Sequence, residues 1–383
     1  MRFIDTLKRH DREKTAVIAD GVKYSYGEVL DAAAKTSEPN GGLWAVGCGN
    51  VFDELIRFLA AEKSVPVITA DAPAECPIPA NADFAVLSSG STGIPKLIFR
   101  TAQSWIAFFG EQNRVFGIDE NTVLFTNGSL CFSGTLNIVL GALYAGACVI
   151  LTSGALTRGK ARYISEYSAD TLYLIPDKLR LLSRIHKCSC VKTIISGSQS
   201  MDSDFALTLS RTMGAKSVIL YYGASEVSYI SYIDLLKEDR GRSCVGLPFC
   251  GIVTECTDGF LKISTPCGAI GIDMPFVMGD IIEQDKDGFL YFKGRHDDVL
   301  NIGGEKLSAA ALEDEIRAAG ADDACVFTQR INGRDTLCCA CTGGVFARSR
   351  LTAVPKRIYR LEALPKNANG KTDRAAVREM FRQ

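Results

Sequence analysis

The stretch Leu87-Ser88-Ser89-Gly90-Ser91-Thr92-Gly93-Ile94-Pro95-Lys96 sets four hydroxyls and two glycines in front of a lysine. Backbone amides freed by glycine, hydroxyl donors and a fixed ammonium are the groups that hold anionic oxygens, so the stretch suits a phosphate-holding loop. An ordinary Ser/Gly-rich turn has the same composition. The apolar run Phe84 to Leu87 predicts a strand before it, and Ala102 to Gly110 predicts a helix after it, so the loop is expected between a strand and a helix. A Walker A loop needs Gly, four residues and then Gly-Lys-Ser/Thr; here Pro95 precedes Lys96 and Leu97 follows it, which excludes a P-loop NTPase.

Three later stretches hold complementary groups. Tyr221-Tyr222-Gly223-Ala224-Ser225-Glu226 offers an aromatic face for a base, a hydroxyl donor and a hard carboxylate oxygen for a hard cation. Phe276-Val277-Met278-Gly279-Asp280 ends on a carboxylate able to accept two hydrogen bonds at once. The tail Leu364-Pro365-Lys366-Asn367-Ala368-Asn369-Gly370-Lys371-Thr372-Asp373-Arg374 carries a lysine behind an Asn-Gly turn. Each of these, taken alone, is also a strand-end turn or a solvated loop.

The elements that must position them alternate. Apolar runs at Val123 to Phe125, Cys148 to Leu151, Thr171 to Ile175, Thr193 to Ile195 and Val218 to Tyr221, separated by helical patterns, predict an α/β core with largely parallel strands. Ligands bind such sheets at the turns that follow the strands, here Asn127-Gly128-Ser129 and Ser196-Gly197-Ser198-Gln199. Upstream, Ala16 to Leu30 reads as a hairpin around Asp20-Gly21 followed by a helix. Leu43 to Val46, Val51 to Glu62 and Val65 to Ile68 read as strand, helix and strand. Asp285 to Phe292 predicts a second hairpin, leading into Gly294-Arg295-His296-Asp297-Asp298-Val299 and on to Ser308.

Composition bounds the function. With 383 residues, 47% hydrophobic and 23% charged, the chain can bury a large core and is expected to form more than one domain. A net charge of −1 points to neither nucleic acid nor an anionic membrane as a partner. No apolar run is long enough to span a bilayer and Met1 to Asp5 is charged early, so a cytoplasmic location is expected. The 14 cysteines include Cys188-Ser189-Cys190 and Cys338-Cys339-Ala340-Cys341, neither spaced as zinc ligands, and the histidines are His10, His186 and His296. Buried free thiols in a reducing compartment are expected, with the second group on a strand from Thr336 to Thr342 and His186 on the surface.

Taken together and in order, the stretches from Leu87 to Arg374 resemble the signatures of the adenylate-forming superfamily: acyl-CoA and aryl-CoA synthetases, nonribosomal-peptide adenylation domains and luciferases. The resemblance implies a large AMP-binding domain over residues 1–294, with mainly parallel sheets flanked by helices and a condensed N-terminal part at 1–83. A small mobile α+β C-terminal domain over 295–383 would follow, with its hinge near Asp297. It implies that Ser88, Ser89, Gly90, Ser91, Thr92, Gly93 and Lys96 hold phosphates, and that Gly197 and Ser198 contact adenine. Tyr222 would stack on the base, Gly223 bind the nucleotide beside it, Ser225 bond a phosphate and Glu226 hold magnesium. Asp280 would grip the ribose, Arg295 lie near ribose and phosphate, and Lys371 serve as the catalytic lysine, with Glu226 and Lys96 assisting. His296 is a bystander in this scheme. The implied cofactors are ATP, Mg2+ and coenzyme A or a carrier protein's phosphopantetheine. The implied substrate is a small carboxylic acid, in a pocket lined by Asn127 to Thr135, Gly197 to Ser200 and Gly223 to Ile230, with Phe132, Val227 and Tyr229 among hydroxyls. The expected activity is an AMP-forming acid–thiol ligase making acyl-CoA. A carrier-loading adenylation enzyme and an inactive nucleotide-binding homologue are the alternatives, and the acid and the oligomeric state stay open.

Overall fold

Five parallel pairings place six strands side by side in the order Ser217–Ala224, Thr193–Gly197, Thr171–Tyr173, Val123–Thr126, Cys148–Leu151 and Thr15–Ala19. Their apolar runs do not alternate because helices cover both faces: Leu124, Phe125, Val149, Ile150, Leu172, Ile194, Ile195 and Val218 are fully buried. The helices are Ser133–Ala145, Arg158–Glu166, Pro176–Ile185 and Ser203–Met213. This is a computed structural model; it describes the chain apart from residues 70–75, 89–95, 258, 296–298, 303–304, 332–333, 345–350, 367–371 and 382–383. For Ser88, Arg295, Val299, Asn301, Ile302, Glu305, Lys306 and Arg334 it describes the backbone alone.

The expected parallel core is present, and an antiparallel half extends it. From Ser217–Ala224 the sheet continues through Ser228–Asp234, Cys244–Pro248, Leu290–Arg295, Phe276–Gln284, Phe260–Ser264 and Val253–Thr257, making thirteen strands with the edge strand Val22–Ser25. The hairpin predicted at Asp285 to Phe292 joins two of these. Register shifts at Tyr222/Gly223, Cys244/Gly246 and Ile281/Ile282 mark irregularities, the kind that bend a sheet and increase its local twist. Gly246 is required at one of them: its φ is 90°, and a Cβ there would fall 1.9 Å from the carbonyl oxygen of Tyr232.

The N-terminal hairpin and its helix Tyr26–Lys35 form as expected, with Ser25 and Glu28 closing a capping box. Leu43–Ala45, Val51–Ala60 and Val65–Val67 also form the predicted parallel unit, which stands as a separate two-stranded sheet.

One expectation is corrected. The loop at 88 to 96 does not join a strand to a helix; it joins two antiparallel strands, Phe84–Ser88 and Lys96–Arg100, with Ser88 opposite Lys96. Leu97, Ile98 and Phe99 favour an extended chain as soon as Pro95 is passed, so helix begins only later. The predicted helix from Ala102 to Gly110 is two pieces, Gln103–Ile106 and Phe109–Phe116.

The C-terminal part is α+β with its own cores. The hairpin Val299–Ile302 with Glu305–Ser308 leads to helix Ala309–Ala318, the sheet Ala321–Ile331, Arg334–Gly343 and Arg357–Arg360, and helix Arg374–Met380. Cys338, Cys339 and Cys341 are fully buried in that sheet as expected, and burial raises their thiol pKa values. Cys188 and Cys190 are half-buried, and His186 caps the helix Pro176–Ile185 with Ser165 Oγ 3.0 Å from its Nε2. All fourteen cysteines are free.

Candidate active site

The C-terminal ends of four adjacent parallel strands make one rim, carrying Asn127 to Ser129, Tyr173, Gly197-Ser198 and Tyr221 to Gly223. Ser198 takes a left-handed φ of 70°, the sharp turn that lets the chain leave the strand. Asn127 is fully buried, donates to Thr152 Oγ1 at 2.8 Å, and gives its backbone carbonyl to the Lys178 ammonium.

The antiparallel half then returns over this rim. Tyr222 and Asp280 lie on strands four neighbours apart, roughly 19 Å in a flat sheet. The Tyr222 hydroxyl nevertheless donates to Asp280 Oδ2 at 2.5 Å and touches Met278 Sδ at 3.6 Å, so the sheet curls. Asp280 is 4% exposed, and its strand neighbour in register is Arg295. An aromatic ring, a buried carboxylate and an arginine position thus meet although up to 73 residues separate them in sequence.

The turn Ser225-Glu226 is held from two sides. Ser225 Oγ lies 2.9 Å from Ser133 Oγ at the start of helix Ser133–Ala145. Arg100, fully buried, donates from Nη2 to the Ser225 carbonyl at 2.8 Å and from Nη1 to the Cys267 carbonyl at 2.8 Å and Ser104 Oγ at 3.2 Å. Burial pushes its pKa down to about 10, while Cys267 and Glu226 pull it the other way. Ala269 N–H donates to the Glu226 carbonyl at 2.8 Å. Since Arg100 closes the strand that leaves the 89–95 loop, that hairpin and the Glu226 turn are one braced unit.

The structure therefore brings together Tyr222, Gly223, Ser225, Glu226 and Asp280, with Gly197 and Ser198 on the same rim. Ser88 ends its strand and Lys96 begins the next, exposed to solvent. Ser89, Gly90, Ser91, Thr92, Gly93, His296, Asp297 and Lys371 lie outside the described residues, and for Arg295 only the backbone is described. Among the described residues on either side of Lys371, Lys366 Nζ and Thr372 Oγ1 meet Asp323 Oδ2 at 2.5 and 3.3 Å, and Arg374 pairs with Glu313 at 2.5 and 2.6 Å.

Of the residues expected in the acyl pocket, Val227 and Ile230 are fully buried and Tyr229 is 3% exposed, all packed in the main core. Tyr229, Ile230 and Ser231 are buried in succession because the strand Ser228–Asp234 is covered on both faces at its start. Sequence reasoning assigned no site role to Arg100, Tyr173 or Tyr221. For Arg100 a signal existed: a guanidinium closing the apolar strand Leu97-Ile98-Phe99 must find partners if it is buried.

A curled α/β sheet with an aromatic residue, a buried carboxylate and a braced Ser-Glu turn at its rim defines the class, the adenylate-forming proteins. Residues 46–279 match the family model of the AMP-binding enzymes, and the chain belongs to that family. VraA of Staphylococcus aureus (strain MRSA252), which carries the name of a long chain fatty acid-CoA ligase, is 28% identical over 249 residues, 59% of this chain and 52% of that protein. YhfT of Bacillus subtilis (strain 168), named as an acyl-CoA ligase, is 24% identical over 333 residues, 77% of this chain and 68% of that one. The chain spans about half the length of the first of these relatives. The solved structure of Bacillus subtilis O-succinylbenzoate coenzyme A synthetase with ATP and magnesium superposes with a TM-score of 0.81 at 15% identity, covering 98% of this chain and 99% of that one. That likeness establishes the shared fold. Among the described residues no helix is long and apolar enough to cross a membrane.

Proposed function

We propose that this chain is an ATP-dependent acid–thiol ligase that forms an acyl-adenylate and then an acyl-CoA thioester. The observation that carries the reading is the convergence of Tyr222, Asp280 and the Arg100-braced turn Ser225-Glu226 on one rim. The ligase names of VraA and YhfT support it.

In this reading a carboxylate oxygen of the acid attacks the α-phosphorus of ATP, the bond to the bridging oxygen breaks, and pyrophosphate leaves. Tyr222 stacks on the adenine beside Gly197 and Ser198, and Asp280 accepts both ribose hydroxyls with Arg295 alongside. The loop from Ser88 to Lys96 holds the departing pyrophosphate. Lys371 places positive charge on the oxygens that become negative in the transition state, the effect that usually contributes most to such a reaction. Glu226 is a half-buried carboxylate with hard oxygen donors, which suits magnesium held by one protein ligand together with substrate phosphates. Magnesium supplies neutralisation of phosphate charge. The domain over residues 295–383 then turns about Asp297, withdrawing Lys371. A thiol attacks the acyl carbonyl, its proton passes to solvent, and AMP leaves.

Magnesium-dependent exchange of pyrophosphate into ATP, driven by a panel of carboxylic acids, tests the first half. Thioester formation with coenzyme A, set against a phosphopantetheinylated carrier protein, tests the second. Acid-dependent exchange with transfer to coenzyme A is expected. Transfer to the carrier alone replaces the acceptor, and the absence of exchange with every acid refutes the ligase reading.

A further inference from the structure

Resting on the ligase reading, we infer that a pair of tyrosines closes the acyl end of the site and that the acid this chain activates is short. Helix Ser133–Ala145 and the strand Thr193–Gly197 each bring a glycine against these rings. A Cβ added at Gly134 would lie 2.6 Å from the Tyr173 hydroxyl and 2.9 Å from that of Tyr221. A Cβ at Gly197 would lie 2.5 to 2.9 Å from three carbons of the Tyr221 ring. The two rings therefore fill the space between helix and strand to van der Waals contact, and the missing side chains are what admit them.

The rings are held in place. Their hydroxyls share a hydrogen bond of 2.6 Å, and the rings stack at 6.2 Å with 18° between their planes. Tyr229 meets the Tyr221 ring edge-on at 4.8 Å, and Phe116 lies 6.2 Å away. Swinging Tyr221 aside would break the hydroxyl pair and strip these contacts together. Burial keeps both phenols protonated: that of Tyr173 is raised well above its ordinary pKa, and that of Tyr221 is pushed up to about 12.

Position makes the closure matter. Tyr221 directly precedes Tyr222 on one strand, so alternation sends its ring to the opposite face of the sheet from the base-stacking residue, where it meets Gly134 and Gly197 of the stretches expected to line the acyl pocket. An acid whose carboxylate reaches the α-phosphate would send its tail toward this wall. An acyl group of a few carbons stops short of it; a long alkyl chain meets the paired rings. The chain thus differs in acid size from what the name of VraA describes.

The test is pyrophosphate exchange by the full chain with acetate, propionate, butyrate, octanoate and decanoate. Wild type is expected to favour the short acids, with kcat/KM for octanoate at least about a hundredfold below that for propionate. Tyr221→Ala and Tyr173→Ala should each raise the octanoate-to-propionate ratio about tenfold or more, whereas Tyr221→Phe, which keeps the ring, should leave the exclusion in place. Thermal melting accompanies each variant, and if Tyr221→Ala does not fold, the wild-type panel and Tyr173→Ala decide. Comparable use of octanoate and propionate by wild type would overturn the closure while leaving the ligase reading intact, as would an unchanged ratio in the folded alanine variants. Absence of exchange with any acid would refute the ligase reading itself and the size limit with it.

Discussion

Two buried carboxylates sit at the centres of the two parts of this molecule, and they are satisfied in different ways. Asp280, 4% exposed in the curled sheet, is met by the neutral hydroxyl of Tyr222 at 2.5 Å. Glu313, 5% exposed in the C-terminal part, is gripped by both Nη atoms of Arg374 and by the Val326 N–H at 2.7 Å. Burial raises the Glu313 pKa, and the Arg374 charge opposes that rise. A carboxylate chelated by a guanidinium has its lone pairs committed to the fold. Asp280 lies instead at the sheet's rim beside the Tyr222 ring, close to the turns that follow the parallel strands. The first arrangement holds a structure together, and the second suits recognition.

The comparison can be broken first at Glu313. Glu313→Gln takes the charge from the buried partner of the half-buried Arg374, and a loss of about 3–5 kcal/mol is expected, confined to the C-terminal part. Chemical denaturation should show an early transition there. ATP binding to the large part should survive, since Tyr222 and Asp280 lie elsewhere. A single transition shifted as a whole would mean that the two parts do not melt separately.

Lys371 lies in sequence between Lys366 and Thr372, which both meet Asp323. Lys371→Ala should cut adenylate formation about 10²- to 10³-fold while ATP affinity changes by less than about tenfold, because the lysine acts on transition-state charge. Pyrophosphate exchange and equilibrium nucleotide binding measure the two quantities. Full exchange activity in the variant would remove the lysine from the mechanism.

The smallest expected effects sharpen the other side of the comparison. Asp280→Asn should weaken ATP binding by about 1.5–3 kcal/mol through loss of charged hydrogen bonds to ribose, with melting close to wild type. Tyr222→Phe keeps the ring and removes the hydroxyl on Asp280, so a loss of about 1 kcal/mol in nucleotide affinity is expected. Calorimetric titration with ATP separates them. A strong stability loss in Asp280→Asn, like that in Glu313→Gln, would make Asp280 a structural carboxylate.

Much of this was legible in the sequence because it depends on neighbours along the chain. The hairpin at Asp20-Gly21, the helix after it and the apolar strands from Val123 to Tyr221 are local patterns, and they form as read. The glycines, hydroxyls and acids of each motif are legible for the same reason. The loop at 88 to 96 was misplaced because its flanks were read by proximity: Leu97-Ile98-Phe99 pairs back onto Phe84–Ser88, and pairing is not written in either segment alone.

By itself, the sequence determined which groups exist and in what order: the hydroxyl-rich loop, Tyr222 to Glu226, Asp280 and the lysine tail. The tertiary structure decided which of them meet. Only the curl of the sheet brings Tyr222 onto Asp280 across four strands, and only burial makes Arg100 the brace of the Ser225 turn. Gly134 and Gly197 became the walls around Tyr173 and Tyr221 in the same way. The physical reason is range. Turn and helix preferences are fixed by residues a few positions apart, whereas sheet curvature, side-chain burial and the width of a cleft are set by contacts between residues far apart in the chain.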